Sequence, residues 1–159
     1  MVVIPRPAVF VGSSAEGLPV VEAIAVNLEH CCEVVPWPTV FGTSEYSLES
    51  LETRLDRFDF AILVMTADDI TKSRGTVSLA ARDNVLLELG IFIGALGRRR
   101  TMIVADRSVE IKIPSDLAGI NSADFIPPSS GNYCSALSAA CFRMKEVIGS
   151  LGFRKRLAV

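Results

Sequence analysis

Apolar residues along the chain follow two patterns: short continuous runs, and longer segments in which they recur every three or four positions. The short runs predict five β-strands, at residues 8–11, 33–37, 60–65, 101–105 and 122–126. The three- and four-residue spacing predicts four helices, at residues 19–30, 47–58, 83–96 and 133–151. Because strands and helices largely alternate, we expect an α/β fold in which helices cover both faces of a parallel sheet.

Two connections of this sheet are predicted to form a ligand site. Open α/β sheets bind ligands at the carboxyl ends of their strands, and a flavodoxin-like strand order places the crevice between strands one and three. Strand one is followed by Gly12-Ser13-Ser14, and strand three by residues 66–82, which read as a long polar loop containing Asp68 and Asp69. A glycine and two serines also form an ordinary turn before a helix, so this signal alone is weak.

Glu88 stands out because its helix is apolar on almost every side, with the sequence VLLELGIFIGALG. Removing an unpaired charge from water costs several kcal/mol, so such a carboxylate either has a charged partner or faces a cleft. The predicted helix starts near Asp83 or Asn84, which places Glu88 roughly 7 Å along it, within reach of the strand ends. The alternative is a structural ion pair with one of the arginines.

Composition narrows the function further. The 159 residues fit one domain, assigned to residues 1–151, followed by a basic tail or truncated linker at residues 152–159. Sixteen basic against eighteen acidic residues give a net charge of −2, which disfavours nucleic acid as a partner. With one histidine, His30, and no CxxC pair, the chain is not expected to hold a metal or a hydrolytic triad. No apolar run is long enough for a membrane span and no signal peptide is apparent, so we expect a cytoplasmic protein with reduced thiols.

Four segments carry a resemblance to a known family. The sequence RDNVLLELGIFIGALGRRR is preceded by VFVGSSAEGLPVVEAI and FDFAILVMTADDITKSRG and followed by IPSDLAGI. Together, over residues 9–126, they resemble the TIR-like domain of bacterial antiphage effectors controlled by cyclic nucleotides, the CBASS and Pycsar systems, including TIR–STING fusions. The resemblance implies a flavodoxin-like three-layer sandwich with a five-stranded parallel sheet. It also implies cleavage of NAD⁺ to nicotinamide and linear or cyclic ADP-ribose, in which Glu88 is catalytic.

The family pattern extends to a predicted substrate-binding set. The set comprises Gly12, Ser13, Ser14, Trp37, Phe41, Asp69 and Asn84. Trp37 and Phe41 can stack on a ring of the nucleotide, although aromatic residues beside prolines also serve simple packing. NAD⁺ is expected as the substrate, with no further cofactor. The family also implies self-association into oligomers or filaments, and a cyclic-nucleotide-sensing domain in the full-length protein.

The chemistry agrees with a site built on one acid. Nicotinamide is already a cationic leaving group, and the transition state carries positive charge on the ribose, so one carboxylate can stabilise it. Two other functions stay open. One is a non-catalytic TIR module that signals by self-association, which has no need of Glu88. The other is a nucleoside deoxyribosyltransferase, which shares the fold and a catalytic glutamate.

Overall fold

A computed structural model of the protein describes residues 4–40, 48–117 and 119–155. Within these ranges there are eight strands: β1 (Ala8–Gly12), β2 (Glu33–Pro36), β3 (Phe60–Met65), β4 (Asp69–Ser73), β5 (Thr76–Ala80), β6 (Thr101–Asp106), β7 (Ile111–Lys112) and β8 (Asn121–Phe125). Five of them form one sheet in the order β2-β1-β3-β6-β8, and every neighbouring pair is parallel. This is the flavodoxin-like order, so the predicted fold class is confirmed.

The helices are α1 (Leu18–Leu28), α2 (Trp37–Val40), α3 (Leu48–Glu52), α4 (Asp83–Leu96), α5 (Tyr133–Ala136) and α6 (Ser138–Leu151). Two predicted helices are longer in the sequence pattern than in the structure. Of the predicted helix 47–58, the described residues 48–58 are α-helical only at Leu48–Glu52 and form a 3-10 turn at Leu55–Arg57. Between them, the Thr53 hydroxyl donates a hydrogen bond back to the Ser50 carbonyl oxygen, a local contact that competes with helix continuation. The segment 133–151 is divided at Leu137, which is fully buried between α5 and α6.

The central strand β3 explains how the sheet is covered. All six of its residues are buried, as a continuous apolar run predicts for a strand with helices on both faces. Ile62 and Val64 face α1 and α6, while Leu63 and Met65 face α3 and α4. On β1, Val9 and Val11 belong to the first core. Phe10 belongs to the second, where its ring stacks on that of Phe92 with centroids 4.7 Å apart.

The predicted polar loop at residues 66–82 is wrong in its main part, because β4 and β5 form an antiparallel hairpin there. Its two-residue turn, Arg74-Gly75, has φ angles of 48° and 83°, the positive values that a type I′ hairpin turn requires. β7 pairs with β5 to complete a second, three-stranded sheet. Apolar and polar residues alternate along β5, but Ile70 is the one apolar residue of β4, so the segment does not suggest a buried element.

Asp59 lies at the amino ends of the central strands, where it is buried directly before β3. Its carboxylate accepts hydrogen bonds from the backbone N–H groups of Ala8, at 3.0 Å, and Arg154, at 2.8 Å. Residues 152–155, the described part of the predicted tail, therefore contact the domain. No helix in the three described ranges is long and apolar enough to cross a membrane.

Candidate active site

Glu88 lies on the face of α4 that packs against the sheet. The buried positions of this helix are Val85, Glu88, Leu89, Phe92 and Leu96, which follow one helical stripe. Only 3% of Glu88 is exposed. A carboxylate therefore occupies a position where the rest of the stripe contributes core side chains, and the helix directs it at the sheet.

The Glu88 carboxylate meets the carboxyl end of β1 at Gly12. Because side chains alternate along a strand, residue 12 faces the same side as Phe10, the side covered by α4. A Cβ atom on residue 12 would lie 3.0 Å from Oε2 of Glu88, 2.9 Å from Leu63 and 2.7 Å from Phe10. Glycine is thus required for the carboxylate to approach the strand this closely.

Nothing in the described part of the chain neutralises Glu88. No ion pair or hydrogen bond joins its carboxylate to another described residue, so the alternative of a structural pair with an arginine is wrong within these ranges. Burial raises the pKa of Glu88 from its ordinary value of 4.5 to about 7. Its protonation state therefore changes near neutral pH, and positive charge brought beside it would favour its ionised form.

Ser13 connects the same turn to α2. The indole N–H of Trp37 donates a hydrogen bond to the Ser13 hydroxyl at 3.1 Å, and that hydroxyl donates to the Ser14 carbonyl oxygen at 2.6 Å. Trp37 is half-buried and packs beside both cores. This contact brings together two residues that were predicted separately, from the first turn and the second strand.

Ser14 connects the turn to the carboxyl end of β3. Its hydroxyl donates a hydrogen bond of 2.6 Å to Oδ2 of Asp68, and the hydroxyl of Thr66 donates to the same oxygen. Ser14 is buried, whereas Thr66 and Asp68 are half-buried. The two strand ends that topology nominates are therefore joined directly, through a carboxylate that the predicted substrate-binding set does not include.

The other predicted residues lie farther from these contacts. Asp69 begins β4 and is exposed, so Asp68 rather than its neighbour contacts the Gly12-Ser13-Ser14 turn. Asn84 is exposed in the first turn of α4. Phe41 lies outside the described residues. The predicted cap at Asp83 or Asn84 is wrong, since the N-cap is Arg82 in an extended conformation.

Arg82 forms an exposed ion pair with Glu16, with 2.9 Å between its guanidinium and the carboxylate, and so ties the start of α4 to the segment after β1. Sequence spacing gave no signal for this contact or for the Ser14–Asp68 contact, because both depend on how loops distant in the sequence meet. Among the described residues, no group of three or more His, Cys, Asp or Glu side chains could hold a metal ion. All four cysteines are free, and Cys32 and Cys141 are buried.

Comparison with known proteins shows the family of this chain. Residues 8–126 match the family model described as the TIR domain of the CAP12/Pycsar effector protein. The chain belongs to this family. It is 42% identical over 147 residues to the Pycsar effector protein PaPycTIR of Pseudomonas aeruginosa, a match that covers 91% of this chain and 48% of the relative.

Two further relatives extend the comparison. The chain is 38% identical to the Pycsar effector protein XpPycTIR of Xanthomonas perforans, covering 92% of this chain and 49% of that protein. It is 37% identical to CD-NTase-associated protein 12 of Sphingobacterium faecium, covering 82% of this chain and 39% of that protein. The chain thus spans about half the length or less of these curated relatives. The family resemblance inferred from the sequence is confirmed.

Proposed function

We propose that this TIR domain is an NAD⁺ glycohydrolase that acts in bacterial antiphage defence and is activated by assembly. The observation that carries the proposal is the buried Glu88 carboxylate, which lies without a cationic partner among the described residues against Gly12 at the carboxyl end of β1. An acid in this environment is poised to interact with positive charge on a ligand. Cleavage of NAD⁺ creates such a charge.

The reaction requires little beyond a placed carboxylate. The bond between the nicotinamide nitrogen and the ribose C1′ breaks, and its electron pair leaves with nicotinamide, which becomes neutral. Positive charge then lies on the ribose as an oxocarbenium ion, which ionised Glu88 stabilises electrostatically. Water adds to C1′ and releases a proton, so that NAD⁺ and water yield nicotinamide, ADP-ribose and H⁺. Because the ribose charge grows towards the transition state, this interaction lowers the barrier rather than merely tightening binding.

The turn Gly12-Ser13-Ser14 supplies the floor of the proposed pocket. Without a side chain at residue 12, a ribose can approach both the backbone and the carboxylate of Glu88. The Ser13 hydroxyl holds the indole of Trp37 in a fixed position beside this floor. We assign Trp37 to stacking on an aromatic ring of NAD⁺, a contact that a pre-oriented indole makes with little further ordering.

The β4-β5 hairpin supports the requirement for assembly. Cross-strand pairing of Ile70 with Leu79 and of Lys72 with Val77 places these four side chains on one face of the hairpin. That face is outward, with Ile70 73% and Val77 63% exposed. Exposed apolar side chains on an edge hairpin favour association with another surface. The hairpin directly follows Asp68, so a second copy of the domain bound there would lie beside the proposed pocket.

The longer relatives suggest how assembly is controlled. These relatives are named as Pycsar effector proteins and as a CD-NTase-associated protein. We propose that the full-length protein senses a cyclic nucleotide through a further domain, and that binding of the nucleotide brings TIR domains together.

The reaction class is tested by product analysis. The domain, fused to an inducible oligomeriser, is incubated in parallel with NAD⁺ and with a deoxynucleoside plus a free base. Release of nicotinamide with ADP-ribose, in linear or cyclic form, supports the glycohydrolase. Exchange of the deoxynucleoside base would instead identify a deoxyribosyltransferase. Clustering without turnover of either substrate would identify a non-catalytic signalling module.

A further inference from the structure

The half-buried carboxylate of Asp68 is held on one side only. Both hydroxyl donors, from Ser14 and Thr66, bind the same oxygen, Oδ2. Within the described residues, Oδ1 has no hydrogen-bond or ion-pair partner. The two hydroxyls therefore fix the orientation of the carboxylate and leave one of its oxygens able to accept hydrogen bonds from a ligand.

Asp68 and Glu88 both reach the short turn after β1. Glu88 lies against Gly12, and Asp68 accepts a hydrogen bond from Ser14, two residues farther along. The Cα atoms of residues two apart are separated by at most about 7 Å. The two carboxylates thus flank a segment of backbone whose length is comparable to that of a single nucleoside.

Positive charge moves from one part of the nucleoside to another during the proposed reaction. Its position in the transition state shows where a second carboxylate would lower the barrier. Before the bond breaks, positive charge lies on the pyridinium ring; in the transition state it moves to the ribose. An anion beside the ring would stabilise the ground state and lose that interaction as the ring becomes neutral. An anion that accepts hydrogen bonds from the ribose hydroxyls gains interaction as the ribose becomes positive.

We propose that Asp68 binds the hydroxyl groups of the nicotinamide-side ribose through Oδ1, with Ser14 and Thr66 as residues that position its carboxylate. This inference rests on the proposed function, because it takes the ribose of NAD⁺ as the group next to Glu88. Asp68 is then a substrate-binding residue that selects ribosides over deoxyribosides. The exposed Asp69, which the family resemblance places in the predicted substrate-binding set, has no such role.

A double-mutant cycle tests the assignment. The assembled wild type and Asp68→Ala are compared on NAD⁺ and on analogues that lack the 2′- or 3′-hydroxyl of the nicotinamide-side ribose, with kcat and KM measured separately. The intrinsic reactivity of each analogue is the same for both proteins and cancels in the cycle. Removing the hydroxyl that contacts Asp68 from the substrate lowers kcat/KM by some factor in each protein. Because a hydrogen bond to a charged group is lost only in the wild type, we expect that factor to be about 10 to 100 times larger for the wild type than for Asp68→Ala. Most of that difference is expected in kcat, because the interaction grows towards the transition state.

Two comparisons separate this role from a structural one. Asp68→Asn keeps the size of the side chain and one acceptor oxygen, so it is expected to retain part of the coupling and a thermal stability close to that of the wild type. The same cycle with Asp69→Ala is expected to show no coupling. Equal losses for the wild type and Asp68→Ala on both analogues, or coupling at Asp69 instead, would overturn the assignment.

A calorimetric experiment gives a readout that needs no turnover. It measures the binding of NAD⁺ and of the two analogues to Glu88→Gln and to Glu88→Gln/Asp68→Ala. Tighter binding of NAD⁺ than of the deoxy analogues, in Glu88→Gln alone, supports the assignment even where cleavage is absent. NAD⁺ binding with no such difference, together with equal losses in the kinetic cycle, overturns the role of Asp68 and leaves the proposed pocket in place. Absence of both NAD⁺ binding and cleavage in all variants, the wild type included, overturns the proposed function together with it.

Discussion

A side chain on residue 12 and the carboxylate of Glu88 would compete for the same space, since a Cβ atom on Gly12 would lie 3.0 Å from Oε2 of Glu88. This relationship joins the last residue of β1 to the second turn of α4. It also shows how the side chain of Glu88 fits against the sheet. The acid fills space that a larger residue at the strand end would occupy.

Gly12→Ala is expected to lower both stability and activity. Its methyl group would lie within 3.0 Å of Phe10 and Leu63, both in the core, and overpacking of this kind costs about 1–3 kcal/mol of unfolding free energy. It would also displace Glu88, so kcat/KM for NAD⁺ should fall. Urea unfolding and nicotinamide release measure the two effects.

Gly90→Ala is the matched control, because its methyl group meets no atom within 4 Å and alanine is the better helix former. Equal stability of both variants would contradict the close approach.

Glu88→Gln is expected to stabilise the fold at alkaline pH. Since burial raises the pKa of Glu88 to about 7 in the folded state, the protonated acid favours folding. The full contribution of the protonated acid to the free energy of unfolding is present below the ordinary pKa of 4.5. It is lost as pH rises from there through the folded-state pKa of about 7. From pH 5 to 8.5, the wild type should lose about 2–3 kcal/mol relative to Glu88→Gln, at 1.36 kcal/mol per pKa unit. Denaturant unfolding at both pH values measures this, with Glu22→Gln, on an exposed residue of α1, as the control. A variant less stable than the wild type at pH 8.5 would indicate a hidden charged partner.

The pH dependence of turnover follows from the same acid. Only ionised Glu88 stabilises a positive ribose, so kcat/KM for NAD⁺ is expected to rise as pH increases through about 7, the pKa of the free enzyme. Bound NAD⁺ brings positive charge beside the acid, so the corresponding rise in kcat should occur at lower pH. Initial rates from pH 5 to 9 measure both profiles. A kcat/KM that falls over this range would mean that Glu88 acts as a proton donor instead.

The outer face of the β4-β5 hairpin is expected to mediate assembly. Ile70→Lys/Val77→Lys places two charges on that face and should reduce specific activity at least about tenfold, with little change in thermal stability because both side chains are exposed. Light scattering and activity are measured against concentration. Val26→Lys, at a 57% exposed position on α1, serves as the control. Unchanged assembly of the hairpin variant would place the contact elsewhere.

Features that depend on burial could be predicted from the sequence. The run Phe60–Met65 gives the central strand, and one acid within an apolar helix identifies Glu88 as unusual. The hairpin was missed because its apolar residues, such as Ile70 and Val77, face outward, so it lacks the pattern of a buried element. The alternation along β5 and the Arg74-Gly75 turn were the available signals.

The details of the site depended on contacts across the sequence. Ser14 and Asp68 are 54 positions apart, and no local pattern shows which of two adjacent aspartates turns towards the first strand. That choice is made by the few residues between the end of β3 and the start of β4. The pairing of Trp37 with Ser13 was likewise invisible, because it follows from the parallel alignment of β1 and β2.

The catalytic role of Glu88 is tested by nicotinamide release from the wild type and from Glu88→Gln, both clustered by the same oligomeriser at pH 7.5. The two side chains have nearly the same shape, so scattering and thermal unfolding can confirm matched assembly and folding. We expect steady nicotinamide release by the wild type and a rate lower by several orders of magnitude in the variant. Wild-type turnover in a folded, fully assembled Glu88→Gln protein would contradict the assignment of Glu88 as the catalytic residue.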